Sequence, residues 1–263
     1  MNKFEEHRAA FYNSSVLYQH ILEQKNESDF EMIIAAIQSY ARGGNLLEYG
    51  CGVGLLSHLL ERRGFNVTGV DISGRFVEAA RQKYPESESL RFEVVSEIPL
   101  RFEDRAFDIV ATSSVLEHCT HVDLILLEFA RLLRSGGMLI IETPNILSPL
   151  GRMNLISGRI FGRRMKFHRY GTPKYFFLGI YYLLKKKLLR KAEFVYVQPD
   201  YSGFTEADED VTYLSNPLDY LYFLRTHGFE VLALSHNKGW FRKFVSRYLP
   251  SIASGVTVVA RKK

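Results

Sequence analysis

Glycines and carboxylates at the ends of two predicted strands are the residues best placed to do chemistry. The segment from Glu48 to Gly54 reads Glu-Tyr-Gly-Cys-Gly-Val-Gly and joins an apolar strand to a helix. Glycines there let the backbone turn tightly and approach a ligand closely, because no Cβ intervenes. Asp71 ends the next predicted strand, and its carboxylate can accept two hydrogen bonds at once. Ligands of open α/β sheets bind at the carboxyl ends of strands, so these residues indicate a ligand site.

The glycine spacing argues against two kinds of nucleotide-phosphate loop. A dinucleotide-binding loop requires Gly-x-Gly-x-x-Gly, and Leu55 stands where the third glycine would fall. A phosphate-cradling loop would end in Gly-Lys-Ser or Gly-Lys-Thr, which is absent from this segment. A plain tight turn remains the alternative for the glycines, as a helix N-cap does for Asp71.

His118 is the candidate general base. It lies about one turn beyond a predicted strand that begins at Phe107. A neutral imidazole at that place could take a proton from an oxygen nucleophile. The alternative is a structural histidine that holds its loop by hydrogen bonds to the backbone.

Strands and helices alternate along most of the chain, which predicts an α/β fold with a parallel sheet covered on both faces. A helix over 29–41 has Ser28 and Asp29 as candidate caps, and Ser135-Gly136-Gly137 predicts a turn before a strand at 138–142. The predicted strands are 46–49, 66–70, 90–94, 107–112, 138–142, 229–234 and 255–260, and the predicted helices are 14–25, 29–41, 55–63, 75–84, 122–134 and 217–226.

The regular alternation stops after the strand at 138–142 and returns near Pro217. We therefore expect one domain over 1–263 with an insertion, because the apolar content of the irregular part is too broken for a separate core. The predicted parts are an N-terminal helical cap (1–44), a core (45–145), a basic insertion or lid (146–205) and a C-terminal helix with strands (206–263).

Composition and charge describe a globular protein with one unusual segment. The chain of 263 residues is 46% hydrophobic and 24% charged, and its two cysteines exclude a disulfide-stapled fold. A charged N-terminus and the lack of a long apolar run predict a cytoplasmic protein. Residues 151–191 hold twelve Lys and Arg and no Asp or Glu, although the net charge is only +5. This asymmetry indicates an anionic partner for that segment.

Four segments in order resemble the motifs of class I S-adenosylmethionine (SAM)-dependent methyltransferases. Their layout is similar to that of the ubiquinone-biosynthesis-type O-methyltransferases and related small-molecule enzymes. The resemblance implies a Rossmann-like seven-stranded sheet whose final strand is antiparallel, with the N-terminal helices over the cofactor. The segments are Leu46–Gly54, Val70-Asp71-Ile72, Phe107–Val110 with Val115–His118, and Leu132–Met138 with Thr143-Pro144-Asn145.

The resemblance also implies roles for individual residues. SAM would be the cofactor, and Asp71 would accept hydrogen bonds from both of its ribose hydroxyls. Glu48 would hold the amino group of its methionine part, Gly50 and Gly52 would present backbone groups to that part, and His118 would be the catalytic base. The remaining cofactor-binding positions are Gly54 in the loop, Ile72 against the adenine, Ser96 and Glu97 near the adenine amine, and Ser113 beside the methionine.

The implied reaction is methyl transfer to an oxygen of a small or lipid-linked acceptor. No metal is expected, because Ser114 stands where some ubiquinone-type enzymes have a further carboxylate. DNA amino-methylation is disfavoured because Thr112-Ser-Ser-Val115 replaces the required Asn/Asp-Pro-Pro-aromatic run. RNA methylation through the basic segment remains an alternative, as does an inactive SAM-binding module.

The basic segment contains an apolar, aromatic-rich run from Tyr175 to Leu184, followed by Lys185-Lys186-Lys187. Ten residues cannot span a bilayer but can lie in its interface, with Lys and Arg reaching the headgroups. We expect residues 151–191 to favour anionic membranes, and the three lysines to contribute to that binding. The alternative is a lid helix with solvated lysines.

Overall fold

A seven-stranded mixed sheet forms the centre of the fold. The computed structural model describes residues 3–95, 98–149, 172–199, 210–235 and 255–263. The strand order is β3-β2-β1-β4-β5-β7-β6, and β1 pairs in parallel with β2 and β4, as β2 does with β3. The strands are β1 Gly44–Tyr49, β2 Phe65–Asp71, β3 Leu90–Val94, β4 Phe107–Ser113, β5 Leu133–Pro144, β6 Phe229–Ser235 and β7 Gly255–Lys262.

Helices connect the strands and precede them, as the alternation predicts. The described α-helices are α1 Lys3–Ser14, α2 Val16–Glu23, α3 Glu31–Tyr40, α4 Leu55–Glu61, α5 Gly74–Lys83, α6 Val122–Leu132, α7 Pro173–Leu189 and α8 Pro217–Thr226. Short 3-10 turns lie at Glu27–Asp29 and Leu116–His118.

The central strands are apolar on both faces, which explains why they pair in parallel and lie inside the fold. Leu46 of β1 is opposite Val67 of β2 on one side and Ile109 of β4 on the other, and all three side chains are buried. This parallel arrangement places the carboxyl ends of β1, β2 and β4 at one edge of the sheet. The α/β prediction is therefore confirmed.

The chain divides into two compact units. The first comprises residues 1–115, 124–141 and 261–263, and the second comprises 116–123 and 142–260. The first unit holds β1 to β4 with α1 to α5, whereas the second holds α7, α8 and β6. The four-part division of a single domain made from the sequence stays a prediction.

Three local predictions are corrected by the structure. Helix α1 is absent from the sequence-based prediction, because charged residues dominate its first two turns and hide any apolar period. Ser28 and Asp29 do not cap α3; they lie in a 3-10 turn capped by Asn26, and Phe30 precedes the helix. Strand β5 begins at Leu133 rather than at 138, so Gly136, which has a positive φ, lies within the strand and not in a turn before it.

Helix α7 lies in the predicted basic insertion, and one of its faces packs against other residues of the second unit. Tyr175, Leu178 and Tyr182 pack against a buried cluster formed by Ile146, Leu147, Val211 and Leu214. Gly179 allows the closest approach, because a Cβ there would lie 2.6 Å from the carbonyl oxygen of Leu147. Within the described ranges, no helix has both the length and the apolar character to cross a bilayer.

Lys186 does not belong to a solvated row of lysines, contrary to the sequence-based expectation. Its side chain is buried, and its Nζ lies 2.6 Å from Oδ2 of Asp219 on α8. The hydroxyl of Tyr213 donates to the same oxygen at 2.8 Å, and the backbone amide of Glu193 donates to Oδ1 at 2.9 Å. Burial lowers the pKa of Lys186, and the adjacent Asp219 carboxylate opposes that shift. The pair therefore fixes α7 against α8 instead of serving a surface.

Replacing Lys186 should destabilise the protein far more than replacing its neighbour. Lys186→Gln leaves the Asp219 carboxylate buried without its cation, which costs about 3–5 kcal/mol in the free energy of unfolding. Lys187→Gln, on the exposed side of the same helix, should change it by less than about 0.5 kcal/mol. Urea denaturation of both variants measures the difference, and equal stabilities would contradict the buried pair.

Candidate functional site

The loop after β1 has a backbone that only glycines adopt without strain. Gly50 and Gly54 have φ angles of +81° and +82°. A Cβ on Gly50 would lie 2.3 Å from Cγ2 of Val115, and one on Gly54 would lie 2.8 Å from the Cβ of Ala80. Glycine is thus required at these two positions because a Cβ would clash with Val115 or Ala80, whether or not a ligand also approaches the loop.

Asp71 holds this loop to the end of the neighbouring strand. Its Oδ2 accepts a hydrogen bond from the amide of Gly52 at 2.9 Å, and its Oδ1 accepts one from the amide of Ser73, also at 2.9 Å. Burial raises the pKa of Asp71, while these backbone donors oppose the shift. The N-cap alternative is wrong, because the side chain of Ser73 caps α5 by accepting from the amide of Phe76.

Glu48 is a buried carboxyl at the end of β1. It accepts a hydrogen bond from the hydroxyl of Ser57, one turn into α4. Burial is the main cause that raises the pKa of Glu48 to about 8; the Ser57 hydroxyl opposes the shift, and the Asp71 carboxylate adds to it. A cationic ligand beside these two carboxyl groups would favour the ionised form of Glu48 and oppose the effect of burial.

The N-terminal helices contact helix α5 and the residue that caps it. The Oδ1 atom of Asn13 accepts hydrogen bonds from the hydroxyl of Ser73 and the amide of Arg75, each at 3.3 Å. The ring of Tyr18 stacks on Phe76 with a centroid distance of 6.1 Å. Residues 3–23 are thus attached to the element that follows Asp71.

The donor set at the loop fits SAM. The Asp71 carboxylate can accept hydrogen bonds from the two vicinal hydroxyls of the SAM ribose. The Glu48 carboxyl can bind the ammonium group of the methionine part. Ile72 is half-buried directly after Asp71, and Ser113 is half-buried at the last position of β4. Ser96 and Glu97, which were predicted to lie near the adenine amine, fall outside the described residues.

His118 lies in the second unit, in the 3-10 turn that follows β4 along the chain. Its ring is buried, with Nδ1 at 3.1 Å from Oδ2 of Asp210 and Nε2 at 3.9 Å from Oε1 of Glu117. The carbonyl oxygen of Glu117 accepts from the amides of Thr212 and Tyr213 at 2.9 Å, which fixes the turn. The imidazole thus has a buried carboxylate beside Nδ1, and its role as base or as structural residue stays a prediction. Asp210 would hold Nδ1 protonated and leave Nε2 able to accept a proton.

Sequence reasoning missed the partners of both groups. Ser57 stands nine residues after Glu48, and the only signal for it is a small hydroxyl within the otherwise apolar buried face of α4. Asp210 belongs to an acidic cluster that also contains Glu206, but nothing in that cluster indicates a histidine partner. No group of three or more His, Cys, Asp or Glu in the described part of the chain is arranged to hold a metal.

The raised pKa of Glu48 predicts how stability depends on pH. Because folding favours the neutral carboxyl, its contribution is complete below the ordinary pKa of 4.5 and is lost as pH rises through about 8. Glu48→Gln keeps the shape and removes the charge. The ligand-free wild type should therefore lose stability relative to this variant across that window, measured by thermal melts at a series of pH values. Exposed Glu31→Gln is the control, and a constant difference between Glu48→Gln and the wild type would refute the assignment.

Comparison with known proteins places this geometry in a family. Residues 47–141 match the family model of a methyltransferase domain. The ubiquinone biosynthesis O-methyltransferase of Chelativorans sp. (strain BNC1) is 29% identical over 146 residues, which cover 55% of this chain and 53% of the relative. The 2-methyl-6-phytyl-1,4-hydroquinone methyltransferase of Synechocystis sp. is 33% identical over 104 residues, covering 39% and 33%. The chain thus matches about half or less of the length of these curated relatives.

Solved structures share the fold over nearly the whole chain. Magnesium protoporphyrin IX methyltransferase from Synechocystis PCC 6803, with bound SAH, has a TM-score of 0.58 at 17% identity and covers 98% of this chain and 100% of that one. An S-adenosylmethionine-dependent methyltransferase from Mesorhizobium loti has a TM-score of 0.57 at 15% identity, with coverages of 89% and 97%. At these identities the likeness shows the fold. Residues 47–141 therefore form a methyltransferase domain of the class I SAM-dependent type, and the cofactor of that domain is S-adenosylmethionine.

Proposed function

We propose that this protein transfers a methyl group from SAM to an oxygen of a small-molecule or lipid-linked acceptor. The observation that carries the proposal is the fixed cluster of Glu48, the glycine loop and Asp71 at the carboxyl ends of β1 and β2. Relatives named for O-methylation in ubiquinone biosynthesis support an oxygen acceptor, although the match covers only about half of their length.

In this proposal each residue of the loop has a separate task. When bound, SAM supplies an electrophilic methyl group on a sulfonium, which a nucleophile displaces in line. Asp71 orients the ribose through the second lone pairs of its two oxygens, whose first lone pairs accept backbone amides. Glu48 binds the ammonium group, and binding a cation favours its ionised form. Gly50, Gly52 and Gly54 set the path of the loop, Ile72 packs on the adenine, and Ser96, Glu97 and Ser113 complete the contacts.

His118 acts in this proposal as the proton acceptor for the oxygen nucleophile. The contact of Asp210 with Nδ1 supports that role, since a carboxylate at one ring nitrogen fixes the tautomer and makes the other nitrogen the base. Glu117 lies on the Nε2 side at 3.9 Å, so a developing imidazolium would meet two carboxylates. Proton removal of this kind contributes roughly 10²–10⁴-fold to turnover.

Removing the Asp71 carboxylate should weaken cofactor binding. Asp71→Ala should raise the dissociation constant of SAM by ten- to a hundredfold, because hydrogen bonds to a charged group are worth about 1.5–3 kcal/mol. Asp71→Asn should lose less, since it keeps one acceptor oxygen at the same place. Calorimetry with SAM and with S-adenosylhomocysteine measures both variants, and unchanged affinity in Asp71→Ala would overturn the cofactor assignment.

His118→Ala should lower turnover about 10²–10⁴-fold while the affinity for SAM stays the same. Transfer of a labelled methyl group to a panel of quinone precursors, phenols, sugars and lipid-linked glycans provides the assay. Asp210→Asn should reduce turnover in the same direction through the tautomer of His118. The control is His121→Asn, because His121 is an exposed neighbour with a positive φ that Asn tolerates. Turnover of His118→Ala within threefold of the wild type would leave His118 a structural role only.

A further inference from the structure

Helix α7 exposes a continuous row of large apolar side chains, which we call the apolar stripe. Its members follow one another at intervals of four, three and four residues, so they lie along one face of the helix. Their exposed fractions are high for apolar residues in a folded protein: Phe177 66%, Tyr181 56%, Leu184 62% and Leu188 84%.

The orientation of the apolar stripe is fixed by the opposite face of α7. Gly179 and Tyr182 pack against other residues of the second unit, and the buried pair of Lys186 with Asp219 anchors the same face near the end of the helix. At 100° per residue, Lys186 points about 160° away from Leu184 and Leu188, the members of the stripe nearest to it. The stripe therefore lies outward because of specific contacts on the inner face.

Cations border the apolar stripe on both sides. Lys174 and Lys187 are exposed and lie on opposite flanks of it around the helix, and Arg190 and Lys191 follow immediately after the last turn. Lys185 is held by Glu193 at 2.7 Å, whereas α7 itself contains no acidic residue. An apolar face with basic flanks is the pattern of a helix that lies in the interface of a lipid bilayer.

We propose that the apolar stripe of α7 docks the protein on an anionic lipid surface. The four apolar side chains would enter the boundary between headgroups and acyl chains, and Tyr181 would keep its hydroxyl among the headgroups. Lys174, Lys187, Arg190 and Lys191 would contact anionic phosphates from the two flanks and the end of the helix. This proposal is independent of the proposed methyl transfer, because it uses neither the cofactor loop nor His118.

Charge decides between a lipid surface and a second copy of this chain. Two copies that met stripe to stripe would bring their lysine flanks together, and like charges across an interface oppose association. An anionic bilayer instead neutralises both flanks while it covers the apolar side chains. A nucleic acid would use the lysines but would leave Leu184 and Leu188 in water, since bases stack on aromatic side chains.

Flotation of the full-length protein with vesicles tests the proposal. We expect binding to vesicles that contain about one-third phosphatidylglycerol, little binding to pure phosphatidylcholine, and a loss of binding as salt is raised. Leu184→Ser with Leu188→Ser should weaken partitioning at least tenfold, from the lost apolar transfer. Lys174→Gln with Lys187→Gln should weaken it roughly fivefold per lysine.

Matched variants elsewhere separate the stripe from general effects. Leu124 and Leu127 on α6 are also exposed, at 49% and 42%, so Leu124→Ser with Leu127→Ser makes the same chemical change at another surface and should leave vesicle binding unchanged. Arg62→Gln with Lys83→Gln removes equal charge from other exposed sites and should do the same. Thermal melts show that each variant is folded. Three outcomes would each overturn the proposal. The first is an equal loss of vesicle binding in the stripe and control variants, and the second is binding to a single-stranded RNA but not to vesicles. The third is a dimer that depends on the stripe, without vesicle binding.

Discussion

One carboxylate, that of Asp71, joins three parts of the candidate site, namely strand β2, the loop after β1 and the start of α5. Its two oxygens connect the amide of Gly52, in the loop after β1, to the amide of Ser73, where α5 begins. Because β1 and β2 are parallel neighbours, both attachments occur at the same edge of the sheet. The positive φ angles of the glycines then determine where the loop amides point. The hydroxyl of Ser57 holds Glu48 at the end of β1, so the two carboxyl groups beside the loop both have partners within the protein.

The second unit uses buried charge in a different way. Around Asp219, a lysine, a tyrosine and a backbone amide supply donors to both oxygens, which makes the group a fully bonded structural centre. Around His118, by contrast, the carboxylates of Asp210 and Glu117 approach one ring that can change its charge. Buried ionic groups that are completely paired favour a single packing arrangement, whereas an imidazole between carboxylates is suited to accept a proton.

The local chemistry of the chain was sufficient to predict the parallel core but not its polar contacts. The predicted strands, each of four to six residues, all lie within observed strands, and the bounds of β3 agree fully. The start of β5 was wrong because Gly136 and Gly137 read as a turn, although the strand passes through them. Asp71 and the glycine loop were recognisable because spacing along the chain encodes them. Tertiary packing determines which partners meet Glu48, His118 and Lys186, namely Ser57, Asp210 and Asp219. In the last two pairs the residues are 33 or more positions apart, and sequence spacing carries no signal for such contacts.

The burial of Lys186 makes three consecutive lysines chemically different. Amine-directed reagents and trypsin act on groups that water can reach, so Lys187 is open to them and Lys185 partly so. Lys186 becomes accessible only when α7 separates from α8 and Asp219 loses its cation. Covalent labelling of this one amine therefore reports the opening of the helix pair, and the labelling of Lys187 on the same peptide supplies an internal standard for reagent activity.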